Sequence, residues 1–167
     1  MFLNRFNALF CLFFVFMSSS LLAQSKGLRV LVELSPAGSF EILSTSIKGK
    51  VKSTGSGYVA DKISTSVKSF STGLELRDNH LKDKLEESKY PRITVSNAKA
   101  QGGQGTADIQ VRNVTKKINF KYKELSSKLI SVFFNLSLKD FQFTGINYMG
   151  VGVKDQVKIE ATLAVEK

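Results

Sequence analysis

The sequence predicts an all-β protein of antiparallel strands, on three observations. Apolar and polar residues alternate with a period of two through most of the chain after Ser25, which is typical of strands with one buried and one solvent-exposed face. Turns containing glycine or proline separate the alternating runs. The 167 residues are 43% hydrophobic and 23% charged, which excludes a disordered tail and a polytopic membrane protein. Short, regularly spaced strands of this kind predict a sandwich or an up-and-down barrel.

The first 23 residues have the features of an export signal. Arg5 provides a positive charge, residues 6–17 are apolar, and Ala23 is a small residue before the expected cleavage at Gln24. An uncleaved anchor is the alternative, but the apolar run is shorter than the roughly 20 residues that a spanning helix needs. We therefore expect a cleaved signal peptide over residues 1–23, a periplasmic protein, and one domain over residues 24–167.

The remaining chain shows strand patterning in most segments. Val157, Ile159 and Leu163, for example, alternate with Lys158 and Glu160, so one face of this strand is apolar and the other is polar. The same alternation predicts strands at residues 29–34, 47–52, 59–67, 107–112, 118–123, 129–138 and 157–165.

One segment instead has helical spacing. Within residues 76–87, Leu81 and Leu85 lie four residues apart, and the intervening positions are charged. Asp78 is expected to cap this short amphipathic helix near its start. Pro91 imposes an extended backbone on Tyr90 and so ends it. A lone helix among strands is typical of a lid at one end of a barrel.

The interior of such a barrel can be either packed or hollow. Bulky apolar residues are concentrated between Phe133 and Phe143, and they could simply fill a core. Small or polar residues at other interior positions would instead leave room for a ligand. These positions are Gly49, Thr65, Ala107 and Ala161. Periodicity alone leaves both possibilities open.

The composition argues against catalysis and against a metal site. Cys11 is the only cysteine and His80 the only histidine, so an internal disulfide and a multi-histidine metal site are excluded. Arg77, Asp78 and His80 suggest a catalytic group, but no activated serine motif accompanies them. We expect a structural role instead, in which Arg77 and Asp78 tie the helix start to the barrel through charge-assisted hydrogen bonds and His80 closes the pore mouth. No enzymatic activity, metal or cofactor is predicted.

The formal net charge of +10 points to an anionic partner. Nucleic acid is disfavoured because the aromatic residues alternate towards the interior rather than outwards. An anionic membrane surface is a better candidate, because each basic residue near one contributes about 1 kcal/mol. A solvated surface that discourages strand pairing is an equal alternative. The basic residues concerned are Lys48, Lys50, Lys52, Lys116, Lys117, Lys121 and Lys123.

Three central segments resemble the signature of the YceI-like family. They read VKSFSTG at residues 67–73, LRDNHL at residues 76–81 and SKYPRI at residues 88–93. Weaker similarity continues at residues 113–118, 137–141 and 153–159. The resemblance implies an extended eight-stranded antiparallel barrel, lipocalin-like in shape, in an exported protein. It also implies that a polyisoprenoid or another long-chain amphiphile occupies the pore.

We therefore predict that the chain binds and carries a long-chain amphiphile in the barrel pore, the ligand being a polyisoprenoid, an isoprenoid quinone or a fatty-acid-like lipid. The alternative is a non-enzymatic envelope interaction or inhibitor module that acts through its basic surface and has a fully packed core. The oligomeric state is open, and a homodimer is one option. Arg77, Asp78, His80 and Tyr90 are expected at the pore mouth. By alternation, the predicted lining residues are Phe40, Ile42, Ile63, Val67, Leu81, Ile93, Val95, Ile109, Phe120, Phe134 and Ile159.

Overall fold

The alternating segments form strands that curl into a barrel. The structure is a computed structural model that describes residues 25–148 and 150–166; the predicted signal peptide, including Cys11, lies outside these residues. The strands are β1 (Gly27–Ser35), β2 (Ser39–Ser44), β3 (Ile47–Gly49), β4 (Val51–Ser53), β5 (Gly57–Ser66), β6 (Arg92–Gln101), β7 (Gln104–Val111), β8 (Val114–Ser126), β9 (Leu129–Ser137), β10 (Asn147–Tyr148) and β11 (Val151–Glu166). One α-helix, α1 (Glu75–Lys84), and 3₁₀ turns at Val67–Ser69 and Lys139–Phe141 complete the described elements.

The barrel closes through hydrogen bonds between β9 and β11. The closed path runs from β11 through β4, β5, β6, β7 and β8 to β9, and Gln156 to Ala164 of β11 pair with Ser137 to Leu129 of β9. Beside this path, β1 pairs with β11 and β2 pairs with β1. The predicted lipocalin-like barrel is confirmed. Two details differ: the closed path has seven strands rather than eight, and β4 runs parallel to β11.

The difference in strand count arises between residues 39 and 53. This stretch is divided into β2, β3 and β4 by breaks at residues 45–46 and 50, so no single strand pairs with both β1 and β5 along its whole length. Gly49 has a φ of +117°, and a Cβ at this position would lie 2.3 Å from the carbonyl oxygen of Lys62. Only glycine fits such a close backbone approach. Beyond the end of β5, Leu43 and Ser71 pair through two backbone hydrogen bonds of 2.8 and 3.0 Å.

The helix crosses one end of the barrel between β5 and β6. It occupies residues 75–84 rather than the predicted 76–87, and none of its side chains is buried. Leu85, immediately after it, is buried. Asp78 is not the N-cap as predicted: Leu74 holds that position without a side-chain hydrogen bond, and Asp78 lies in the first turn. Among the described residues, no helix is long and apolar enough to cross a membrane.

Inward-facing residues of neighbouring strands share rows around the barrel. Ile63 of β5 pairs with Val95 of β6, and Val95 pairs with Ile109 of β7. Residues directly opposite each other in an antiparallel ladder lie on the same face of the sheet. The rows therefore place apolar side chains from every wall of the barrel in its interior.

Candidate ligand-binding cavity

The barrel interior encloses a cavity of about 1070 Å³. This is at the upper end of the 300–1,000 Å³ or so that ligand pockets usually occupy. Its walls are predominantly apolar and come from both sides of the barrel, including Val30, Ile109, Phe134 and Ile159. The interior is therefore hollow rather than filled by the protein's own side chains. The fully packed core expected under the alternative is contradicted, whereas an interaction through the basic surface stays a prediction.

Ten of the eleven residues predicted to line the pore border this cavity. That they contact a ligand stays a prediction. Phe134 faces the cavity, whereas its neighbour Phe133 is 39% exposed and faces outwards. The ten residues are Phe40, Ile42, Ile63, Leu81, Ile93, Val95, Ile109, Phe120, Phe134 and Ile159.

Val67 is the exception, and its predicted place in the lining is wrong. The strand β5 ends at Ser66, and Val67 begins a 3₁₀ turn, so the alternation of the strand no longer sets the direction of its side chain. The residue is 1% exposed, and its backbone N–H donates to the carbonyl oxygen of Pro91 at 3.0 Å. It belongs to the buried hydrophobic core instead.

The small residues predicted to create interior space divide into two groups. Thr65 and Ala161 line the cavity. Ala107 is buried but does not border the cavity, and Gly49 is exposed and contacts the backbone of β5 instead.

The cavity opens at the end that carries α1. All of its solvent-exposed lining residues lie in residues 74–84 or 145–151. Leu74 and Leu76 are 55% and 63% exposed at this rim. The charged lining residues, Glu75, Arg77 and Lys84, are at the same end. The mouth is therefore amphipathic, whereas the deeper cavity has no charged lining among the described residues.

Arg77 and His80 border the mouth as predicted, but Arg77 acts differently from the prediction. Its guanidinium carbon lies 4.4 Å above the centre of the Phe40 ring, which is a cation–π contact rather than a hydrogen bond. The contact joins α1 to β2. Neither Arg77 nor Lys84 forms an ion pair within the described part of the chain.

Asp78 ties the helix start to the preceding loop. Its Oδ1 accepts hydrogen bonds from the backbone N–H and the hydroxyl of Thr72, both at 2.6 Å. These bonds favour the carboxylate, and the Thr72 hydroxyl is the largest cause of a pKa below the usual value for Asp78. The geometry agrees with the structural role predicted for this residue.

Tyr90 does not line the cavity, contrary to its predicted place at the mouth. Its backbone N–H donates to the carbonyl oxygen of Glu86 at 2.8 Å, and the Lys89 ammonium lies 5.1 Å from the centre of its ring. Pro91 follows it and leads the chain into β6. Tyr90 thus belongs to the turn that connects α1 to the barrel.

Arg112 is an important residue that the sequence pattern did not reveal. Its Nη1 donates to Glu86 Oε1 at 2.9 Å, its Nη2 donates to the carbonyl oxygen of Phe141 at 2.8 Å, and its guanidinium carbon lies 4.2 Å above the Phe143 ring. The side chain is only 14% exposed. It therefore joins the β7–β8 turn to the segments that follow α1 and β9.

The sequence signal for Arg112 is its residue type, an arginine in a two-residue connection between strands. Arg112 and Asn113 form the two-residue connection between β7 and β8, and Arg112 has a φ of +53°. Glycine or asparagine is preferred at turn positions with a positive φ. An arginine there indicates that its side chain offsets the backbone cost.

The surface carries the predicted basic residues. Lys48, Lys50, Lys52, Lys116, Lys117, Lys121 and Lys123 are all exposed, and Lys50 pairs with Glu166 at 3.0 Å. Within the described ranges, no group of three or more His, Cys, Asp or Glu side chains is arranged to hold a metal ion.

These features define a class of protein: a single-chain β-barrel with an apolar cavity and an amphipathic mouth beside a helix. Residues 24–165 match the YceI-like domain, and the chain belongs to this family. No curated protein matches the sequence.

Two solved structures show the same fold. One is a polyisoprenoid binding domain from Saccharophagus degradans implicated in plant cell wall breakdown, with a TM-score of 0.57 and 16% identity over 82% of this chain and 91% of that chain. The other is the YceI protein of Campylobacter jejuni, with a TM-score of 0.56 and 17% identity over 75% of this chain and 85% of that chain.

Proposed function

We propose that this protein binds and carries a long-chain amphiphile in its barrel cavity. The observation that carries the proposal is the apolar cavity of about 1070 Å³ with its single amphipathic end. Family membership and the polyisoprenoid binding domain among the structural neighbours support a lipid ligand. A polyisoprenoid, an isoprenoid quinone and a fatty-acid-like lipid all fit this description.

Burial of the tail supplies the binding energy. Each CH₂ removed from water contributes about 0.8 kcal/mol, so a tail along the barrel axis can offset the cost of immobilising the ligand. The charged and exposed lining residues lie at the α1 end. The polar head therefore stays near Arg77, His80 and Lys84, with Glu75 as the acidic neighbour. This mechanism needs binding alone, and no enzymatic step.

The expected setting is the periplasm, to which residues 1–23 would direct the chain. A carrier must collect its ligand from a membrane, and the net charge of +10 favours an anionic lipid surface. Lys116, Lys117 and the other exposed lysines would provide the attraction. Leu74 and Leu76, which are exposed at the rim, would contact the bilayer and shield the tail from water as it moves.

Lipid extraction from vesicles tests the proposal. Protein is mixed with vesicles containing a fluorescent long-chain fatty acid and is then separated from them, and the probe that remains with the protein is measured. Ala98→Phe places a bulky ring in the cavity, because Ala98 lines it. Lys99→Phe is the matched control, since Lys99 is exposed on the same strand.

Wild type and Lys99→Phe should extract the probe equally, and Ala98→Phe should extract less of it while remaining folded, because the ring takes up part of the space for the tail. A ring that enters empty space adds buried apolar surface without the strain of overpacking. Equal extraction by wild type and Ala98→Phe would contradict binding in the cavity.

A further inference from the structure

The closed end of the cavity has an unusual row of inward-facing residues. Tyr58 of β5 pairs with Ala100 of β6, Ala100 pairs with Gly105 of β7, and Gly105 pairs with Phe120 of β8. Opposed residues share one face of the sheet, so the row lies on the inner wall. It consists of two aromatic rings with two small residues between them.

The Phe120 ring lies across β7 because Gly105 has no side chain. A Cβ on Gly105 would be 2.3 Å from Phe120 Cζ and 2.5 Å from its Cε2. It would also lie 2.6 Å from the backbone carbonyl oxygen of Lys99 on β6, so a side chain at Gly105 requires both the ring and the β6 backbone to move. Phe120 is 9% exposed and borders the cavity, so a ring displaced from Gly105 would turn into the cavity.

Tyr58 and Tyr122 complete the closure. Their rings meet edge to face, with centroids 5.4 Å apart and planes at 83°. Tyr58 borders the cavity, whereas Tyr122, the next inward position on β8 after Phe120, does not. A hydrogen bond to Glu124 is the main cause of a raised pKa for Tyr58. We call Tyr58, Phe120 and Tyr122 the aromatic end wall.

We infer that the aromatic end wall sets the longest tail that the cavity accepts, with Phe120 as the residue that determines the limit. The inference rests on the proposed function. The mouth is at the α1 end, where every exposed lining residue lies, so the terminus of the tail is the part that reaches Phe120. Each added CH₂ should tighten binding about fourfold until the tail meets the wall. Further CH₂ groups remain in water at the mouth and do not increase the affinity.

Competition by saturated straight-chain fatty acids of increasing length tests this inference. Each acid displaces a fluorescent fatty acid from the protein below the concentration at which micelles form, and affinity is plotted against chain length. The measured quantity is the break length, at which affinity stops rising. Phe120→Ala should move the break to longer chains. Ala100→Leu adds bulk to the same inward row, where Ala100 borders the cavity, and should move the break to shorter chains.

Two further variants make the test specific. Phe133→Ala removes an outward-facing ring of the same kind and should leave the break unchanged. If melting curves show that Phe120→Ala does not fold, Phe120→Leu should move the break in the same direction by a smaller amount.

The outcomes separate this inference from the proposed function. A break that stays at the same length in the Phe120 and Ala100 variants overturns the role of the end wall and leaves carriage intact. A wild-type protein that binds none of the fatty acids, and takes up no amphiphile from vesicles, overturns carriage and the end wall together. Shifts in opposite directions for Phe120→Ala and Ala100→Leu support both.

Discussion

Arg112→Ala should destabilise the barrel far more than the loss of an ordinary surface arginine. The guanidinium donates to the carbonyl oxygen of Phe141, stacks on Phe143 and pairs with Glu86. A hydrogen bond from a charged donor contributes about 1.5–3 kcal/mol, and the cation–π contact about 0.5–1 kcal/mol. The Glu86 side chain is 43% exposed, so the ion pair adds only about 0.5 kcal/mol.

One contribution opposes this loss of stability. The Nε atom of Arg112 is buried and has no hydrogen-bond partner within the described residues. Removing this unsatisfied group should stabilise the variant by about 1 kcal/mol. The free energy of unfolding should therefore fall by about 2–3 kcal/mol. For a domain of this size the corresponding decrease in melting temperature is about 10 °C.

The assay is thermal unfolding followed by far-ultraviolet circular dichroism, because the chain has no tryptophan to report by fluorescence. Arg29→Ala is the matched control: it removes an arginine that is 54% exposed and pairs with Glu41, and such surface pairs contribute little. Its melting temperature should stay close to that of wild type. Equal melting temperatures for Arg112→Ala and Arg29→Ala would refute the reasoning.

Three further predictions concern pH, the membrane and the rim. The hydrogen bonds from Thr72 lower the pKa of Asp78 in the folded state. The stability that these bonds provide is therefore present above the unfolded pKa of about 3.9, and it is lost as the pH falls through the folded pKa. In urea unfolding, Asp78→Asn should thus be less stable than wild type near neutral pH but close to wild type in strong acid. A difference in unfolding free energy that stays the same at every pH would contradict this. Replacing Lys116 and Lys117 with Glu should weaken sedimentation with anionic vesicles, by a larger factor at low salt than at high salt; salt-independent loss would argue against attraction by charge. Leu76→Ser should slow probe transfer from vesicles without changing probe affinity in solution, and an equal loss of both would place Leu76 in the binding site instead.

Alternation predicted antiparallel strands and most of the inner face, and the resemblance to the YceI-like family selected a barrel over a sandwich. Ile63, Val95 and Ile109 occupy inward positions on three adjacent strands, and a period of two assigns such positions without knowledge of the pairing. The same rule failed at Val67, because β5 ends one residue earlier. Alternation predicts the side of a strand, but it does not predict the residue at which hydrogen bonding to the next strand stops.

The side-chain contacts at the two ends of the barrel depend on distant pairings. Phe120 lies over Gly105 only because the β7–β8 register places them opposite each other. Arg112 contacts segments 26 and 29 residues away along the chain. Neither partner follows from local spacing. The cavity itself depends on the total volume of the inward side chains, which a periodic pattern does not measure.

Native mass spectrometry of the protein isolated without detergent from the envelope of its own cells tests the central claim most directly. We expect a species heavier than the polypeptide by the mass of one amphiphile, which organic solvent releases. A wild-type protein that consistently shows the mass of the bare chain, and gains none when incubated with envelope lipid, would contradict carriage in the barrel.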